Sequence, residues 1–167
     1  TTLLRRDFMK FDTETATLGF CETVYDSIVE ETLETEFNLP DYCPEIKKII
    51  RCSLKTDVNA VQKQDGKITA MADAYIRLLY IGDNDKLSFY EQTYPVQKIV
   101  ESDKINLHCA VTVKVNTEYV NCRATNPRRV DIKAMMTFAF KAVCKREENV
   151  LSSVRGAGVQ TLNREFE

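Results

Sequence analysis

The stretch INLHCAVTVKVN, Ile105–Asn116, alternates in polarity. Ile105, Leu107, Cys109, Val111, Val113 and Val115 are apolar, whereas Asn106, His108, Thr112, Lys114 and Asn116 are polar, with Ala110 apolar among them. Successive side chains of a strand point to opposite faces, so this pattern predicts a strand with one face buried. The same period recurs on both sides. Val130, Ile132, Ala134, Met136, Phe138, Phe140, Ala142 and Cys144 form one inward series, and Cys52, Leu54, Thr56 and Val58 form another, alternating with Arg51, Ser53, Lys55 and Asp57. From Lys67 to Gly82, one face carries Ile68, Ala70, Ala72, Ala74, Ile76, Leu78 and Tyr80. Three inward alanines in a row leave space, which Phe138 and Phe140 are the best candidates to fill at native packing density.

Turn signals separate these strands. Gln64-Asp65-Gly66-Lys67 predicts a hairpin joining Val58–Gln62 to Ile68–Tyr80, and Asp83-Asn84-Asp85-Lys86 predicts a second turn. The D-N-D spacing of the second turn lacks the glycine and the glutamate of a calcium loop, so a plain turn is expected. Strands are expected at Leu87–Tyr94, Ile105–Ala124 and Arg129–Cys144, separated by Pro95 and by Asn126-Pro127. The apolar register changes near Asn116–Tyr119, which predicts a β-bulge. Glu22–Glu36 has helical propensity, but the alternating run TLETEFNL reads Glu30–Leu39 as a strand.

One short helix is predicted at Pro44–Ile50. Asp41 or Cys43 would cap it, Pro44 suits the first turn, Glu45 complements the N-terminal dipole, and Lys47 and Lys48 complement the other end. Ile46, Ile49 and Ile50 fall at i, i+3 and i+4, so all three are expected to be buried, with Pro40–Ile50 anchoring the acidic N-terminal strand on the sheet. The expected architecture is mainly β: an antiparallel β-sandwich or flattened barrel with hairpin connections and one short helix near 44–50.

The 167 residues suffice for one core, and 44% hydrophobic with 29% charged residues is ordinary globular composition. Residues 1–18 read as a lead-in, 19–148 as a single β domain, and 149–167 as a tail. No apolar run is long enough to span a bilayer, and no signal-peptide pattern opens the chain, so membrane insertion is not expected. A net charge of -2 offers nucleic acid no general attraction.

Charge is nevertheless segregated. Phe11–Ile46 holds ten acidic residues and no Lys or Arg, whereas Asn121–Arg146 holds seven basic residues against Asp131 alone. Acidic and basic strands lying side by side in one sheet would account for this. Head-to-tail association between molecules is the other reading.

Chemistry-bearing motifs are sparse. The six cysteines, Cys21, Cys43, Cys52, Cys109, Cys122 and Cys144, include no C-x-x-C pair, so neither a metal site nor any other cofactor is expected. His108, the only histidine, neighbours Cys109 but faces the opposite way on a strand, so a thiol-enzyme dyad is not expected. Alternation makes Cys52, Cys109 and Cys144 core residues and leaves Cys21, Cys43 and Cys122 as the thiols expected to meet solvent. These three are the candidates for links between molecules, but the expected state is that all six cysteines are reduced in a protein folded in the cytosol. Arg128 and Arg129 beside Asn126 suggest an anion site, or else Arg128 is a structural residue whose guanidinium satisfies carbonyls or a carboxylate near the turn; the second is expected.

Two motifs carry a family resemblance: LPDYCPEIKKII at Leu39–Ile50 and NPRRVDIKAMMTF at Asn126–Phe138, with long alternating strands between them. Together they resemble the SPOCS domain, a module of sporulation proteins and of spore coat or exosporium proteins in endospore-forming bacteria. Glu22-Thr23-Val24, Leu78-Leu79-Tyr80 and Tyr94-Pro95-Val96 extend the likeness over about Gly19–Arg146. It departs at Val96, where an aromatic is usual, and at Pro127, inserted between Asn126 and Arg128. Gly158–Glu167 resembles the lead-in to a further copy, as these domains often occur in tandem and sometimes precede a LysM module.

The resemblance implies a non-enzymatic assembly protein made in the mother-cell cytoplasm and then placed in the coat or exosporium at the spore surface. Its partners would be other coat or exosporium proteins, the coat-assembly ATPase, or further copies of itself. The motif residues Pro40, Pro44, Glu45, Ile46, Ile49, Asn126 and Arg128 are the candidates for structural or interaction roles. A rival class is a β module that binds polysaccharide or peptidoglycan, whose usual sign is a face of exposed aromatics. The chain has no Trp.

Overall fold

The computed structural model describes residues 12–155, which form six strands: β1 (Asp12–Asn38), β2 (Ile46–Gln64), β3 (Lys67–Gly82), β4 (Leu87–Glu101), β5 (Ala110–Asn126) and β6 (Arg129–Arg155). They make two three-stranded antiparallel sheets, ordered β1-β6-β5 and β2-β3-β4. The chain divides into two units, one comprising Glu22–Cys144 and the other, among the described residues, 12–21 with 145–155. The first unit contains both sheets. The second is a two-stranded ribbon made of the outer ends of β1 and β6.

The inward series meet as their period requires. Ala70, Ala72 and Ala74 are buried in one cluster with Met136, Phe138 and Phe140, so the small residues of β3 receive the large residues of β6. Phe138 and Phe140 stack with centroids 6.2 Å apart. A second cluster joins Ile76, Leu78 and Tyr80 of β3 to Val130 and Ile132 of β6 and to Phe37, Leu39, Cys43 and Ile46. Both clusters draw on both sheets, as expected of a β-sandwich.

The hairpin at Gln64–Lys67 forms with Gly66 at φ 75°, where a side chain would be strained. At the second turn Asp85 takes φ 58°, and Gly82 N–H donates to Lys86 O. The register shift expected near Asn116–Tyr119 falls between Thr117 and Tyr119.

Several expectations are corrected. No helix forms at Pro44–Ile50: Ile46 already pairs with Gly82 and Ile49 with Tyr80 as the start of β2. A helix this short has too few internal hydrogen bonds to outweigh pairing with a buried central strand. Register shifts at Ile46/Lys48 and Ile49/Arg51 then split the isoleucines, leaving Ile46 buried, Ile49 half-buried and Ile50 exposed. Pro95 does not end a strand, because β4 continues through it opposite Asp73 as an outer strand that tolerates a missing N–H. Ile105–Cys109 precedes β5 as an irregular turn, with Ile105 and Cys109 buried and Leu107 exposed. β1 is strand throughout Glu22–Glu36, and β6 runs on past Cys144 to Arg155.

Charge segregation is answered within the first unit. In the β1-β6 pair, Lys133 Nζ lies 2.5 Å from Glu34, Lys141 lies 3.8 Å from Asp26, and Arg129 pairs with Glu36. Glu34 raises the Lys133 pKa by hydrogen bond and by charge.

Candidate functional site

The two motifs come together at one end of the first unit, where Leu39–Ile46 leads from β1 into β2 and Asn126–Arg129 turns β5 into β6. Asn126 builds the turn with its side chain: Oδ1 accepts from the N–H groups of Arg128 (2.8 Å) and Arg129 (2.7 Å). Pro127 has no N–H to offer, but its carbonyl accepts from Ile46 N–H at 2.7 Å, and Arg128 O accepts from Leu39 N–H at 2.7 Å. These backbone bonds tie both ends of the Leu39–Ile46 loop to the turn.

Arg128 closes the loop from the side. Its Nε donates to Glu45 Oε1 at 3.2 Å, and Nη1 donates to Pro40 O at 3.2 Å and Cys43 O at 3.3 Å. The guanidinium fork therefore serves a carboxylate and two loop carbonyls together, which a point charge could not. An anion site on Arg128 is superseded by this arrangement. Pro44 stacks on the end of β3: a Cβ on Gly82 would lie 2.7 Å from Pro44 Cβ, so only glycine admits the ring there. The Tyr80 hydroxyl donates to Pro44 O at 3.2 Å, and burial, with the nearby Cys43 thiol adding, pushes the phenol up to about 12. Asp83 N–H donates to Glu45 O at 2.9 Å. An open groove of about 450 Å³ runs along the cluster, lined by Asn38, Leu39, Asp41, Glu45, Asn126, Pro127 and Arg128. Of the motif candidates, Pro40, Pro44, Glu45, Ile46, Asn126 and Arg128 share this cluster. Ile49 lies further along β2 and packs half-buried against the second core cluster.

The thiols divide differently from expectation. Cys21 is exposed, but Cys43 is buried against Tyr80 and Ile46, because the loop folds inward rather than away from the body. Cys109 and Cys144 form a disulfide across 35 residues. The sequence placed both cysteines on inward positions, and the Ala110↔Val143 register, extended by one residue, sets them opposite each other. Joined to Cys144, Cys109 has no thiol for a dyad with His108, which is exposed.

Cys52 and Cys122 are both half-buried and face each other where β2 borders β5, beside a 3.4 Å hydrogen bond from Thr117 Oγ1 to Leu54 O. The Cys52 thiol donates to Cys122 Sγ, which lowers the Cys122 pKa and, with burial adding, drives that of Cys52 strongly upward. Two thiols joined by a hydrogen bond in this way titrate as a pair. On the opposite side, Lys98 of β4 bridges to Glu30 O at 2.8 Å and Glu31 Oε2 at 2.6 Å of β1.

Among the described residues no group of three His, Cys, Asp or Glu side chains is placed to hold a metal ion, and no helix is long and apolar enough to cross a membrane. No curated protein matches the chain. No solved structure matches it either. The family described as SipL, SPOCS domain, does match, over residues 45–125. That segment begins at Glu45, the carboxylate held by Arg128, and contains β2 through β4 and nearly all of β5. Through residues 45–125, the chain belongs to the SPOCS domain family.

Proposed function

We propose that this chain is a non-enzymatic assembly module of the bacterial spore envelope, built into the coat or exosporium through protein–protein contacts. Membership of the SPOCS domain family gives a sporulation-related role, and the match over residues 45–125 is the observation that carries the reading. The motif cluster supports it: Arg128, the cation that suggested an anion site, is occupied by Glu45 and two carbonyls, so the motif's polar groups hold the fold together. Function then rests on exposed surface. The partners are other coat or exosporium proteins, the coat-assembly ATPase, or further copies of the chain.

The test is a fluorescent fusion followed through sporulation, with chemical cross-linking and recovery of partners from isolated spore envelopes. Signal should gather at the forespore surface and remain with the envelope fraction. A fusion that stays diffuse in the mother cell and cross-links to no envelope protein overturns the reading.

A further inference from the structure

β6 lies between β1 and β5 only as far as β5 reaches, and the β5 register begins at Ala110↔Val143. From Glu147 to Arg155, among the described residues, no strand flanks β6 on that side. The second unit is thus a two-stranded ribbon, a form that is marginally stable in water by itself and presents unpaired backbone groups for another strand. It also exposes apolar side chains: Leu18 and Phe20 on β1, and Val150 and Leu151 on β6, Leu151 at 59%.

We propose that residues 147–155 of β6 pair antiparallel with the same residues of a second copy, about a two-fold axis at Leu151, making a four-stranded sheet from two ribbons. This rests on the assembly reading and names one of its partners as the chain itself. The edge and the register follow from charge. A two-fold axis normal to the ribbon keeps every residue on its own face, so opposed positions must be an even number apart. Centring on Val150 sets Lys145 against Arg155, two like charges. Centring on Leu151 sets Glu147 against Arg155 and Asn149 against Ser153, each twice, with Leu151 against itself. The β1 edge has no such solution, because residues 12–22 carry Asp12, Glu14 and Glu22 but no Lys or Arg to set against them. Both ionic groups are accessible. Arg155 lies 3.3 Å from Glu14, yet its guanidinium carries five donors and its side chain is 75% exposed, and Glu147 lies 3.3 Å from Lys145.

Sedimentation or light scattering of the full chain at about 0.1 M salt tests this, where charges about 10 Å apart still interact. The expected species is a dimer. Arg155→Glu or Glu147→Arg alone should weaken it by about tenfold, since each sets like charges opposite one another twice per dimer. The double variant E147R/R155E should restore it. Unchanged circular dichroism shows that each variant is folded. A monomer at every concentration, a dimer indifferent to the single variants, a double variant that fails to recover, or an open polymer overturns the proposal. If the fusion still reaches the spore envelope in that case, the assembly reading stands and the self-pairing alone is lost.

Discussion

Arg128 and Glu45 stand 83 residues apart in the chain and meet at 3.2 Å, while the other arm of the same guanidinium covers Pro40 O and Cys43 O. The contact joins the two sequence motifs, which explains why they occur in one chain with four strands between them. The loop carbonyls matter more than the ion pair, because both charged side chains keep a third or more of their surface in water and exposed pairs contribute little.

Arg128→Ala should therefore cost about 1 to 3 kcal/mol by taking the guanidinium donor from Cys43 O and from Pro40 O, which keeps only the Cys43 N–H, whereas Glu45→Gln should cost less than about 1 kcal/mol. Arg128→Lys should recover only part of the loss, since an ammonium cannot span all three acceptors. Denaturant midpoints measure the series. Equal losses for R128A and E45Q would show that the ion pair dominates.

Gly82→Ala should distort the same site from the opposite side. Its new Cβ would sit 2.7 Å from Pro44 Cβ and 2.9 Å from Asn84 Oδ1. A proline ring cannot rotate away, so the loop itself must shift, at roughly 1 to 3 kcal/mol. Exchange protection of the Ile46 amide, whose bond to Pro127 O depends on the loop position, should fall. Undiminished protection would mean that the loop absorbs the methyl without moving.

Much of the fold was legible because buried strands advertise themselves with period two. β3 reads as an inward series from Ile68 to Tyr80, and its alanines call for the phenylalanines that β6 supplies. Asn126 was legible as a turn residue for a local reason, its side chain bonding its own backbone two and three residues on. The misreadings share a cause. Pro44–Ile50 has every local mark of a helix, but pairing with Gly82–Tyr80 and two register shifts are properties of a neighbouring strand. Cys43 likewise looks like a loop thiol until Arg128 draws the loop down onto Tyr80. Contacts of high sequence separation built this site: Arg128 was legible as a guanidinium for carbonyls or a carboxylate, though not which ones, and the charge segregation hinted that β1 and β6 are neighbours through Glu34 and Glu36 against Lys133 and Arg129.

Ala72→Leu should overpack the shared cluster. Ala72 is buried against residues that include Phe138 and Phe140, in a core where extra methylenes force off-rotamer side chains. A loss on the order of 1 to 3 kcal/mol, read as a fall in melting temperature, is expected. An unchanged Tm would show a void between β3 and β6.

Tyr80 should give the fold a distinct alkaline limit. Its phenol is raised to about 12 in the folded protein, against about 10 in an unfolded chain. A raised folded pKa favours the neutral form, so this contribution is complete below about pH 10 and is lost as pH climbs toward 12. Tyr80→Phe loses the hydrogen bond to Pro44 O and starts lower in stability, but its decline between about pH 10 and 12 should be shallower than that of the parent protein. Parallel declines would remove Tyr80 as the cause.

Cys52 and Cys122 should react as one dithiol. The thiol of Cys52 stabilises the Cys122 thiolate, so Cys122 ionises first and Cys52 is held protonated. Since the thiolate is the nucleophile, iodoacetamide at neutral pH should alkylate Cys122 ahead of Cys52, with exposed Cys21 as the reference thiol. Replacing Cys52 by Ala removes the donor, and Cys122 should then slow toward an ordinary thiol. Oxidised glutathione should convert the pair to a disulfide, two protons and two electrons passing to the oxidant. That bond would staple β2 to β5, and the melting temperature should rise. Peptide mass mapping resolves each cysteine. Equal alkylation rates at positions 52 and 122, or an oxidised product linking Cys21 between molecules while both seam thiols stay free, would refute the pairing and make Cys21 the redox-active thiol of this chain.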